Sequence, residues 1–323
     1  MNSLNGERFL KEAMDSVYAQ TFTDWEIIFF DSGSTDKSVE IASGYDSKVK
    51  IFRLEKPMPF GQARQEAIDK ATGEFLAFLD QDDVWLPFKL QIQYDVMKSG
   101  EYDMCYGGIQ CIDERGKLLH KVMPVHSSGP MFEKQLWQFE ANILTFVINR
   151  MKMLQSKVQF NPNLRVSPDD DFILVYLLVH DGCEVIHHVL ANYRTHKNSA
   201  TQTLTSNLAM ERFSTLERLV REKPGIKELY PTTFKAAEAR GYYYKARYLF
   251  DQKKYKEAVI SMHVAVKLDK KYRLLYILCH LPLVWKSIHR FKGFLTPFWM
   301  KYIFLSPDKA KPSDKKEVDK SGE

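Results

Sequence analysis

The sequence predicts an α/β fold: a mostly parallel sheet flanked by helices, followed by an all-α region. Three observations carry this. From Met1 to about Gly100, short β-prone runs alternate with helical patterns, the order that builds layered parallel sheets. Two of these runs end in acidic turns, Asp31-Ser32-Gly33-Ser34-Thr35-Asp36 and Asp80-Gln81-Asp82-Asp83. From Leu204 onward the pattern is almost wholly helical. A chain of 323 residues supports one large catalytic domain and a smaller appendage.

The first helix is expected over 7–19, where Phe9, Leu10, Ala13, Val17 and Tyr18 fall at helical spacing. Trp25-Glu26-Ile27-Ile28-Phe29-Phe30 is a short apolar strand, and the turn after it opens a helix over 38–42. A strand over 49–54, a helix over 61–71 closed by Gly73, and a buried strand over 75–79 follow. Beyond Glu101 the pattern is mixed: a strand over 104–109, a turn over 113–117, a helix over 171–180 and an extended run over 183–193. The expected divisions are a catalytic domain at 1–203, a helical region at 204–308 and a disordered, Lys/Asp/Ser/Pro-rich tail at 309–323.

Composition narrows the function classes. A net charge of +5 is too mild to argue for nucleic acid. Cys105, Cys111, Cys183 and Cys279 lack CxxC or zinc spacing, which fits reduced thiols in a cytoplasmic protein. The opening residues have no signal-peptide apolar core. No uncharged run reaches the ~18–20 residues that span a bilayer.

Five constellations carry chemistry. The apolar strand Phe75-Leu76-Ala77-Phe78-Leu79 delivers Asp80, Gln81, Asp82 and Asp83 to its carboxyl end, the edge where open α/β sheets bind ligands. Crowded carboxylates repel unless a cation sits among them. Mg²⁺ takes one or two of them plus substrate phosphates. The same residues equally suit a solvated, helix-capping loop. Asp31 can accept hydrogen bonds from a base or ribose, Gly33 permits close backbone approach, and Ser34 or Thr35 suits a helix cap. Arg64, at a helix start, suits a diphosphate or a base, or plain surface charge. Asp169-Asp170-Asp171 offers a general base or simply favourable acids at a helix N-terminus. His196 in Tyr193-Arg194-Thr195-His196 suits a metal or diphosphate, or a structural role.

In this order the segments resemble family 2 glycosyltransferases of the GT-A fold. The resemblance runs from about Asn5 to Ser199. It rests on Asn5-Gly6, Ser16-Val17-Tyr18-Ala19-Gln20-Thr21, the Asp31 turn, Ala63-Arg64, Ala71-Thr72-Gly73-Glu74, the DxD strand, Trp85-Leu86-Pro87 with Lys89-Leu90, and the Tyr-Arg-x-His phrase. It implies inverting transfer from a nucleotide-diphosphate sugar to a glycan or lipid-linked acceptor, with Mg²⁺ or Mn²⁺, in cell-surface polysaccharide or lipopolysaccharide synthesis. Asp82 is then the leading metal ligand, with Asp80 and His196 beside it. Asp31, Ser32, Arg64, Asp80 and Gln81 contact the nucleotide sugar. Asp169 is the base, with Asp170 the alternative register. The sequence departs from the family in three places. Ser32 replaces a frequent second Asp, Pro168 stands where Glu is common, and the family's first strand is missing or truncated, with Ser3 near its place.

Residues 236–268 resemble one tetratricopeptide-type helical hairpin, a unit that needs a neighbour to bury its face. From 267 to 301, basic residues interleave with Leu, Trp, Phe and Tyr, and Asp269 is the lone acid. That composition suits the surface of the plasma membrane's inner face. Two other functions fit single features. Asp80 and Asp82 also match a haloacid-dehalogenase-type phosphatase, and a shortened first strand suits an inactive nucleotide-sugar-binding scaffold.

Overall fold

The structure, a computed structural model, describes residues 1–196 and 207–290. The chain divides into two compact units, Met1–Lys245 and Ala246–Glu323.

The first unit opens with β1 (Asn2–Ser3), α1 (Glu7–Tyr18), β2 (Ile27–Asp31), α2 (Ser38–Ser43), β3 (Val49–Arg53) and α3 (Phe60–Lys70). The three strands pair in parallel in the order β1-β2-β3. All five residues of β2 are buried, as a strand covered on both faces requires. Alternation sorts them. Ile28 and Phe30 pack with Ala63, Ala67 and Ile68 of α3. Ile27 and Phe29 pack with Leu10, Ala13, Met14 and Val17 of α1 and Ala42 of α2. The sheet is therefore sandwiched between helices.

The place of the first strand is held by two residues. Asn2 and Ser3 pair with Phe30 and Asp31, and Asn2 also bridges in parallel to Asp80. β1 thus connects the parallel sheet to a second one.

That second sheet contains β4 (Phe75–Ala77), β5 (Val84–Trp85), β6 (Met104–Ile112), β7 (Leu118–Val122), β8 (Val147–Asn149) and β9 (Glu184–Arg194). Its order is β4-β8-β6-β9-β5, with β7 paired to β6. Here the expectation of a mostly parallel sheet needs refining. Only β6 and β9 run parallel, while β4–β8, β6–β8, β5–β9 and β6–β7 are antiparallel. The antiparallel partners come from the region past Glu101, where no clean alternation of strand and helix exists.

Between the sheets' connections lie α4 (Lys89–Lys98), α5 (Phe132–Trp137), α6 (Arg150–Ser156) and α7 (Pro168–Val179). The α7 run Phe172–Leu178 is buried at every position, the mark of a core helix. The expected start of this helix at residue 171 is corrected to Pro168. Proline is tolerated at the first helical position, and the acids of the first turn favour the positive helix end. Helix α8 (Leu208–Glu222) packs on α7 and so lies in the first unit, although a separate helical region was expected from 204.

Pro231–Asp251 and Tyr255–Leu268 are helices joined by a three-residue turn with Lys253 at φ 61°. Within the second unit Phe250 stacks on Trp285 at 4.6 Å, and Met262, Tyr272 and Leu275 are buried. Among the described residues no helix is long and apolar enough to cross a membrane. The four cysteines are free and buried. The tail expected at 309–323, and the basic stretch beyond 290, lie outside the described residues.

Candidate active site

The site grows from two strand ends on either side of β1. Asp31 closes β2, and Asp80 follows β4. Ser3 lies between them: its carbonyl accepts the Ser32 amide at 2.9 Å, and its hydroxyl donates to Gln81 Oε1 at 2.8 Å. Gln81 Oε1 also accepts the Leu4 amide, and its Nε2 donates to the Leu4 carbonyl. Gln81, expected to contact the nucleotide sugar, ties the acidic loop to the first strand.

Asp31 is fully buried. Its Oδ2 accepts the Ser34 amide at 3.0 Å and lies 3.6 Å from Arg53, while Oδ1 has no hydrogen-bond partner. A buried acceptor without a donor is costly and marks this strand end as a place for a ligand N–H or O–H. Ser32 is buried beside it.

Arg64 is the hinge of the site. Sequence alone allowed an exposed charge, yet it is 2% exposed, on the inner face of α3. Its Nη2 donates to Asp80 Oδ1 at 2.5 Å, and its Nη1 donates to Asp169 Oδ1. Phe60, Phe78 and Phe160 surround the guanidinium, with Phe60 at 4.3 Å. The planar fork joins two carboxylates that stand 89 positions apart in the chain.

The other half of the acidic loop is held by the end of β9. His196 Nε2 lies 2.7 Å from Asp82 Oδ2. Asp83 Oδ1 accepts the Arg194 amide at 2.7 Å. The buried Arg194 donates to the Asp82 carbonyl and to Glu12, with its guanidinium 4.6 Å from the Phe9 ring. Burial, then the Asp80 charge, raises the Asp82 carboxyl above its ordinary value, against the pull of His196. Burial, then Asp82 and Asp80, holds Asp83 well above it.

The acidic triplet does not act as one cluster. The three residues occupy the first turn of α7, about 100° apart around the axis. Asp169 meets Arg64. Asp171 is fully buried and pairs with Arg218. Asp170 faces Arg212 and Arg240, and burial raises its carboxyl to about 6. Arg64, Asp80, Asp82, Asp169 and His196 are therefore linked around the acidic loop, Asp31 stands at the neighbouring strand end, and Asp170 is directed elsewhere.

Among the described residues no three His, Cys, Asp or Glu side chains form a ready metal cluster. The donor set still fits a hard divalent ion of the Mg²⁺ or Mn²⁺ kind. Such ions need only one or two carboxylates when substrate phosphates complete the shell, and Asp80 and Asp82 stand close enough to raise the latter's affinity for a proton.

Glu12, Arg194 and Arg218 support the site but were not singled out from sequence. For Arg194 the signal was its place in the Tyr-Arg-x-His phrase. For the others no local pattern distinguishes them from surface charges.

This architecture is a GT-A-like fold. It matches the crystal structure of S. aureus TarS 1–349 in complex with UDP-GlcNAc with a TM-score of 0.65 at 14% identity, covering 90% of each chain. Residues 1–159, just under half of the chain, match the family model described as Glycosyl transferase family 2. The chain is 27% identical over 193 residues to the uncharacterized glycosyltransferase MJ1057 of Methanocaldococcus jannaschii, covering 58% of this chain and 66% of that protein, just under two thirds of its length. It is 26% identical to the Escherichia coli UDP-Glc:alpha-D-GlcNAc-diphosphoundecaprenol beta-1,3-glucosyltransferase WfgD, over 62% of this chain and 77% of that one. It is 28% identical to the putative teichuronic acid biosynthesis glycosyltransferase TuaG of Bacillus subtilis, over 61% and 78%. The family-model match spans Asp80 and Asp82, the residues on which the phosphatase reading rests.

Proposed function

We propose that the chain transfers a sugar, with inversion, from a nucleotide-diphosphate donor to a glycan or lipid-linked acceptor in cell-surface polysaccharide assembly. One observation carries the proposal: a single buried guanidinium, Arg64, holds the DxD carboxylate Asp80 and the α7 carboxylate Asp169 together. The names of WfgD and TuaG, and the UDP-GlcNAc bound to TarS, support a uridine-diphosphate sugar and a surface-glycan acceptor.

Asp169 accepts the proton of the acceptor hydroxyl as its oxygen bonds to the anomeric carbon. The bond from that carbon to the diphosphate breaks on the opposite face, which inverts the centre. Asp31 and Ser32 orient the nucleotide. Arg64 fixes the base relative to the acidic loop, and His196 orients Asp82. Asp80 and Asp82 would hold a divalent ion that offsets charge on the leaving diphosphate. The basic, apolar residues from Lys267 onward serve contact with the membrane's inner face. Liposome binding that survives removal of everything after Tyr272 would refute this.

The central test is transfer against a panel of nucleotide sugars with Mn²⁺. Asp169→Asn should lower kcat by about 10²–10⁴-fold while a nucleoside diphosphate with Mn²⁺ still stabilises the protein. Full activity in this variant would remove Asp169 from the mechanism. Absence of any nucleotide response in the parent chain would favour the inactive scaffold.

A further inference from the structure

A pocket of about 120 Å³ opens on the Asp170 side of α7, lined by Phe139, Ser167, Asp170, Arg212, Arg240 and Tyr244 together with Leu208. Arg212 is 5% and Arg240 6% exposed. Two guanidinium groups buried around one carboxylate leave the lining with excess positive charge. Glu211, whose negative charge also acts on Asp170, stands outside the lining. That carboxylate already accepts the amides of Arg165, Val166 and Ser167 and the Ser167 hydroxyl.

A purely structural ion cluster would close its charges onto each other. Here no ion pair joins Asp170 to Arg240, and both line the cavity. Arg240 donates one bond, from Nη2 to the Trp137 carbonyl, while its buried Nε has no hydrogen-bond partner. A buried cationic donor without an acceptor calls for an anion. Phe139 and Tyr244 add aromatic side chains to the charged lining, the mixture of apolar and polar groups that ligand pockets use. Asp170 follows Asp169 directly, so the pocket and the proposed base share one turn of α7.

We infer that this pocket is an acceptor subsite for a saccharide bearing an anionic group, a phosphate or a carboxylate, whose hydroxyl is presented toward Asp169. The assignment rests on the glycosyl-transfer reading, and it names the class of acceptor that reading leaves open: an acidic glycan rather than a neutral one.

The test is calorimetric titration of the full chain, its donor site filled with UDP and Mn²⁺, with glucose 6-phosphate, glucuronate, glucose and inorganic phosphate. The expected result is binding of the two acidic sugars and at least tenfold weaker binding of glucose and of inorganic phosphate. Arg240→Gln should weaken the acidic sugars about tenfold and Tyr244→Phe severalfold. Asp170→Asn, which removes the like charge, should tighten them severalfold, a gain that a merely structural role does not produce. If Arg240→Gln fails to fold, Tyr244→Phe and Asp170→Asn decide. Acidic and neutral sugars binding alike, inorganic phosphate binding as well as the sugars, or affinity indifferent to the folded variants would each overturn the subsite. UDP with Mn²⁺ reports separately: its failure to bind, with acidic-sugar binding intact, would sink the transferase reading and leave an anion site.

Discussion

At the residue scale, burial changes what a charge means. Arg64 and Lys89 are both basic residues near helix starts, and both are buried. Arg64 is answered by two carboxylates. Lys89 has no hydrogen-bond partner at Nζ and rests 4.0 Å from the Trp85 ring, and burial lowers its amine from 10.5 to about 7. The unfolded chain therefore binds more protons than the native one between these values, and stability rises with pH across that window by up to about 1.4 kcal/mol per unit. The penalty is complete below about 7 and gone above 10.5. Lys89→Met should raise the Tm at pH 6, and the gain should shrink steadily toward pH 10; scanning calorimetry across pH checks both. Neither burial was legible from sequence. The Arg64 motif was visible, but the aromatic cage of Phe60, Phe78 and Phe160 draws on positions up to 100 apart, and no local pattern announces it.

At the element scale, α7 sets which arginines each carboxylate meets. Three consecutive Asp left the base open between Asp169 and Asp170 while the helix was expected to start at the third of them. Once Pro168 begins the helix, successive side chains must diverge, and each meets a different arginine environment. The entry to α7 is held by Glu211, buried on α8, through the backbone amides of residues 165–167. Charge-assisted bonds of this kind contribute about 1.5–3 kcal/mol each when a partner is lost in isolation. Glu211→Gln keeps the shape but loses the charge and one acceptor, so a destabilisation of about 2–3 kcal/mol is expected by urea denaturation, with kcat reduced along with it. Unchanged stability would show that the turn holds itself. The short strand β1 was also out of reach of sequence pattern, because two residues have no periodicity to detect.

At the scale of the whole molecule, the legible part of the fold was the part with short connections. The β2–α2–β3–α3–β4 succession follows the sequence closely. The pairing of β6 with β9 joins Cys105 to Glu184, and its register depends on everything folded between them. Non-local pairings of that kind leave no signature in either strand. The core that unites these distant pieces is centred on α7, where Phe172, Ile173, Leu174, Tyr176 and Leu177 are wholly inaccessible to water. Leu174→Ala should cost about 3–4 kcal/mol by cavity formation and lower the first unit's Tm by about 6–15 °C. Loss of one side chain should also raise amide exchange in β6 and α3, whose residues share its cluster. A change confined to α7 would mean the core is less continuous than its packing implies.

The clasp between Gln81 and the chain's opening turn has a consequence for variation. A side chain at Gly6 would collide with the Gln81 carboxamide, while Gly6 itself has an ordinary backbone angle of φ −100°. Gly6→Ala therefore need not disturb folding; the flexible end of Gln81 yields, and Asp80 and Asp82 on either side move with it. Turnover should drop severalfold with a Tm within a few degrees of the parent, in paired kinetic and thermal measurements. Such a position behaves as a dial on the reaction rather than a support of the fold, open to evolutionary adjustment from outside the chemistry.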